Sequence, residues 1–145
     1  MSEMEQSPNY RKGIELVREM LGPQFLAGLQ AAAGSGAFAA DCASIAIESA
    51  FGAVWSRPGL ARRDRSLVTL GILIASGKTN ELKNHVRAGL NNGLTALELQ
   101  EVLIQAIPYA GFPAVAEAIE ATVSVLRERG LVDEQTKTAK DRGML

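Results

Sequence analysis

The segment "TNELKNHVRAGLNNG", Thr79 to Gly93, carries the one histidine of a 145-residue chain. Glu81 stands four residues before His85, a spacing that puts both side chains on one face of a helix. Leu82, Val86, Gly89 and Leu90 form the inward stripe of such a helix, with Glu81, His85 and Ala88 immediately beside it. At the border of core and solvent, burial lowers the pKa of an imidazole and a neighbouring carboxylate raises it. That balance suits a general acid or base working near neutral pH. The same spacing also describes an ordinary helix-surface pair, and from spacing alone the ordinary pair is the commoner case.

Three further groups of residues have the chemistry of a binding site. Arg57, Arg62, Arg63 and Arg65 surround a turn that follows Trp55. Guanidinium forks bind carboxylates through paired hydrogen bonds, and a turn beside an aromatic can wall a small pocket. Cations are unfavourable near a helix N-terminus, so this arrangement implies an anion nearby, for which Asp64 is one candidate. Tyr109 lies in "PYAGFP" between backbone breakers, where its hydroxyl could orient a ligand or simply bond to backbone. Cys42, in the apolar setting "AADCASIAIESA", reads as a buried, inert thiol.

Composition excludes several function classes. Fifteen basic and sixteen acidic residues nearly cancel, so no global field draws in nucleic acid or an anionic membrane. A single cysteine forms no internal disulfide, and no Cys/His metal spacing occurs. The opening "MSEMEQSPNYRKG" has no apolar signal-peptide core, and "LVTLGILIA" is far short of the roughly 18 residues of a membrane span. A cytoplasmic location is expected. No Ser-His-Asp order, phosphate-binding glycine loop or dinucleotide fingerprint is visible.

The elements that must position these residues read as helices with clear punctuation. Ser7-Pro8 opens the first, striped by Ile14, Leu16, Val17, Met20 and Leu21, and Gly22-Pro23 closes it. "QFLAGLQAAA" follows and ends at Gly34-Ser35-Gly36. Ala37 to about Trp55 is apolar all round, as a mostly buried helix would be. "SLVTLGILIASG" reads as a central helix, and Thr79 as the cap of the helix bearing His85. Thr95 to Glu98 forms a capping box for the next helix, striped by Leu99, Val102, Leu103 and Ala106. Pro108 and Gly111-Phe112-Pro113 should break that helix, leaving a last one from about Ala114 to Arg129. The expectation is an all-α fold of six or seven helices in one domain spanning 1–145. Its core covers about 37–130, and a polar tail, 131–145, frays or packs on a neighbouring subunit.

From Phe51 to Pro113 the sequence resembles the carboxymuconolactone decarboxylase family. Phe-Gly-x-x-Trp, Arg-Pro-Gly-Leu, Arg-x-Arg-Ser-Leu, Glu-Leu-x-x-His, Asn-Asn-Gly-x-Thr and Tyr-Ala-Gly-x-Pro arrive in the family's order. The resemblance implies an alkylhydroperoxidase D-like helical bundle that assembles into homo-oligomers, trimers or hexamers, with sites near subunit contacts. It also implies decarboxylation of 4-carboxymuconolactone or a similar small carboxylated lactone, with neither metal nor organic cofactor. Peroxidase members carry Cys-x-x-Cys four residues before the histidine. Here Lys78 and Glu81 occupy those positions, so thiol-disulfide chemistry is excluded.

On this resemblance His85 is the proton donor or shuttle, with Glu81 orienting it and favouring imidazolium. Arg57 and Arg65 hold the anionic substrate, and Trp55 and Tyr109 shape its pocket. Gln105 stands where many members have a histidine, Phe112 where tryptophan is common, and Pro108 precedes the tyrosine. These differences keep alternatives open: another lactone or oxo-acid conversion by isomerisation, hydrolysis or biosynthetic tailoring, or a non-catalytic oligomer that binds a ligand.

Overall fold

Ser7 and Pro8 start the first helix by the expected means. The Ser7 hydroxyl accepts the Tyr10 amide at 3.0 Å, and proline needs no hydrogen-bond partner in the first turn. The computed structural model describes residues 3, 4 and 7–145. Met1, Ser2, Glu5 and Gln6 of the polar start lie outside them. The described residues are all-helical, with seven α-helices and no strand among them. The helices are α1 (Pro8–Leu21), α2 (Pro23–Ala33), α3 (Ala40–Ile45), α4 (Arg62–Ala75), α5 (Thr79–Asn91), α6 (Ala96–Ala110) and α7 (Phe112–Glu128); a π-helical segment, Ala46–Trp55, continues α3. The chain folds into two compact units, one ending at Arg62 and one running from Arg63 to Leu145.

In the first unit α1 packs directly on the π-helical segment. Two glycines permit that approach. A Cβ on Gly13 would lie 2.0 Å from the Ile47 carbonyl oxygen, and one on Gly52 would lie 2.0 Å from that of Asn9. The helix expected from Ala37 to Trp55 is therefore present in two forms, but it is not mostly buried. Ile47 and Gly52 are the buried residues of the π-helical segment, while Phe38, Ile45 and Val54 are exposed. Cys42 is likewise exposed rather than buried. An alanine-rich stretch with no polar face gives no sign of which side meets solvent.

The second unit holds an apolar core contributed by α4 to α7, including Leu70, Ile74, Leu82, Val86, Leu99, Val115 and Val125. Three details differ from expectation. Lys78, not Thr79, is the cap residue of α5, and Thr79 is its first helical residue. Pro108 lies inside α6, where its exposed position lets water satisfy the carbonyl it deprives of a partner. The helix ends at Gly111, whose φ of 90° a side chain would resist. The tail folds back on its own unit instead of fraying. Arg127 donates to the Thr136 carbonyl at 2.8 Å and to Asp141, and the Lys140 amide donates to Glu120 at 3.0 Å.

Candidate functional site

Thr79–Asn91 builds the centre of the site because its apolar stripe leaves one orientation for the helix. Leu82, Val86, Ala88 and Gly89 are buried, which turns Glu81 to solvent and leaves His85 between the two. The ring of His85 is half-buried, and its Nδ1 atom is closed off from solvent. Burial pushes its pKa below the ordinary 6.5, and the Glu81 carboxylate opposes this without cancelling it. The expectation that Glu81 would favour imidazolium therefore has the right sign for that residue and the wrong sign for the sum. The resting ring is predominantly neutral at pH 7.

Glu81 is part of a row that spacing arguments missed. Its Oε1 accepts from Asn84 Nδ2 at 3.4 Å, and Asn84 Oδ1 accepts from Arg87 Nη1 at 3.2 Å. Arg87 then grips Glu128 on α7 with Nε and Nη2 at 3.2 and 3.1 Å. The steps of three along α5, 81 to 84 to 87, were the available signal.

Arg65 is half-buried on α4, one residue before the fully buried Ser66, whose hydroxyl accepts from Asn92 Nδ2 at 3.0 Å. Tyr109 is 84% exposed near the end of α6. It lines a hollow of about 830 Å³ between α4 and α6, with Leu67 and Gly71 on one wall and Glu101 and Gln105 on the other. The arginine at this hollow is Arg63, not Arg65, and Arg63 pairs with Glu98. Glu98 thus serves its capping box through its backbone alone: its amide donates to Thr95 Oγ1 at 3.1 Å while its carboxylate turns to Arg63. Neither this hollow nor two others in the second unit, of about 590 and 530 Å³, has His85 among its lining residues.

In the first unit, Trp55 and Arg57 lie at one hollow, without Arg65, Tyr109 or His85. It measures about 480 Å³ and is also lined by Lys12, Glu15, Glu19 and Arg62, and Arg62 pairs with Glu19 at 2.6 Å. The two carboxylates offset two of its three cations, which leaves this hollow one net positive charge beside the tryptophan. Among the described residues no cluster of three or more His, Cys, Asp or Glu side chains has the geometry to hold a metal ion, and no helix is long and apolar enough to cross a membrane.

Residues 40–124 match the model of the carboxymuconolactone decarboxylase family. The chain belongs to that family. It is 36% identical over 132 residues to the 4-carboxymuconolactone decarboxylase of Acinetobacter baylyi, covering 91% of this chain and 97% of that protein. It is 34% identical over 119 residues to the nitrosuccinic acid decarboxylase of Metarhizium robertsii, covering 82% of each. Both relatives are carboxy-lyases, and carboxy-lyase is the enzyme class of this member too. The family resemblance drawn from Phe51 to Pro113 thus extends over most of the chain.

Proposed function

We propose that this carboxy-lyase removes one carboxyl group from a small dicarboxylic acid of the 4-carboxymuconolactone type, with His85 handling the proton. The near-full-length similarity to the Acinetobacter decarboxylase carries this reading. The half-buried ring beside a carboxylate supports the choice of His85. As carbon dioxide leaves, the electron pair of the broken C–C bond moves through the ring double bond into the lactone carbonyl, giving a dienolate. A proton then adds to carbon. With Nδ1 closed off, Nε2 is the atom that exchanges this proton. An anionic guest near the ring raises its pKa, so substrate binding itself favours proton uptake by a histidine that rests neutral.

Arg65 stabilises charge best where it develops, on the lactone oxygen. A cation held on the departing carboxylate would stabilise the ground state and slow the reaction. The fungal relative favours a second reading, an open-chain substrate. Nitrosuccinic acid and 4-carboxymuconolactone share a substituted succinate skeleton. In each, the carbon that loses its carboxylate feeds an oxygen-bearing electron sink.

The test is carbon dioxide release from 4-carboxymuconolactone and from nitrosuccinate. His85→Gln should remain folded and lower kcat by about a hundred- to ten-thousandfold. Full activity in that variant would remove His85 from the mechanism. No release from either acid by the wild type would remove the substrate class.

A further inference from the structure

We propose that Asn84, held by Arg87 and Glu128, is a positioning residue that fixes the Glu81 carboxylate beside His85. The inference rests on the reading of His85 as the reactive group, but its principal test needs no substrate. The four side chains form one directed row across two helices: Arg87 donates twice to Glu128, once to Asn84, and Asn84 donates to Glu81.

The chemistry of the ends leaves the middle no choice. A guanidinium only donates and an ionised carboxylate only accepts. An amide between them must present its oxygen to Arg87 and its nitrogen to Glu81, which removes the usual freedom of an asparagine to flip. Arg87 is itself fixed, since its fork meets both Glu128 oxygens at 3.1 and 3.2 Å. Glu81 alone would be an exposed side chain free to rotate, and its average effect on the ring four residues away would be small. Tied to a row anchored on α7, it keeps one orientation.

The charges around this row are few enough to enumerate. On α5 they are Glu81, Lys83 and Arg87, and on α7 Glu128, with Arg129 just beyond its end. Lys83 also shares a hollow with Glu117, Glu120 and Arg127 of α7 and with Lys140 and Asp141 of the tail. On α4 the half-buried cations are Arg62, Arg63 and Arg65, with Asp64 among them. Of these groups Glu81 is the one whose charge acts on His85. Glu128 stays ionised to lower pH than an ordinary glutamate because Arg87 bonds to it, so the anchor persists while the histidine titrates.

Because His85 is the one histidine, its ring proton can be followed by NMR without ambiguity. Glu81→Gln should lower the His85 midpoint by roughly 0.2–0.5 unit, the size of an exposed helix pair. Asn84→Ala should lower it in the same direction by about half that or more, and Glu128→Gln should do likewise from the far end of the row. In a Glu81→Gln background, Asn84→Ala should add nothing. On a substrate that is turned over, the pH profile of kcat/KM should follow these midpoints while KM stays unchanged.

A wild-type midpoint in both Asn84→Ala and Glu128→Gln would overturn the proposal. So would an Asn84→Ala shift that persists undiminished without the Glu81 carboxylate. If Asn84→Ala does not fold, the Glu128→Gln midpoint alone decides: lowered, it upholds the row, and unchanged, it overturns it. Absence of turnover on either acid would count against the substrate class and leave the titration as it stands.

Discussion

Replacing Gly52 with alanine adds one methyl group, and the fold of the first unit determines what that methyl meets. Its nearest neighbours would be the carbonyl oxygen, carbonyl carbon and Cα of Asn9, at 2.0, 2.6 and 3.2 Å. All three are backbone atoms of α1, so no side chain can swing aside. Ordinary contact begins at 3.4 Å, which means the helices must part by about 1.4 Å. Over-packing of a well-filled interior costs typically 1–3 kcal/mol, and a backbone clash belongs at the upper end, about 3 kcal/mol. For a chain of this length that is a fall in Tm of roughly 6–12 °C.

Gly28 provides the control, since it lies in α2 with nothing within 4 Å of an added Cβ. There the higher helix propensity of alanine should raise stability by about 0.5–1 kcal/mol. Thermal unfolding followed by circular dichroism compares the two directly. Equal melting of Gly52→Ala and wild type would refute the backbone-to-backbone packing of α1 on the π-helical segment.

Two further outcomes are expected. The folded-state pKa of His85 lies below its ordinary 6.5, so the unfolded chain binds the proton more readily. The stability associated with this group is complete above pH 6.5 and declines as pH falls from 6.5 through the folded-state pKa; urea midpoints between pH 7.5 and 5 should show the decline, and His85→Gln should lack it. We predict that the exposed apolar residues Val68 and Ile72 on α4 and Leu97 and Ile104 on α6 mediate self-association, the homo-oligomer that the sequence resemblance implied. Light scattering after gel filtration should give a mass of several chains, reduced by Ile72→Asp, and a monomeric wild type would overturn this.

Helical class, most helix ends and family membership were legible in the residues alone. Local rules suffice for these: Ser7 and Thr95 cap through their own hydroxyls, and glycines at 22, 93, 111 and 130 adopt the positive φ that stops a helix. Glu81 and His85 could be placed on one face in the same way, because i and i+4 are neighbours on any helix. The balance at His85 could not be read so, since burial depends on everything packed around α5 and that outweighed the adjacent carboxylate. Nor could the tie from Glu81 through Asn84 and Arg87 to Glu128, because 47 residues of chain separate Glu81 from Glu128 and only the folded α5–α7 pair brings them together. The same holds for Cys42 and the folded-back tail. Exposure and long-range hydrogen bonds arise from the packing of distant segments, and no local pattern encodes them.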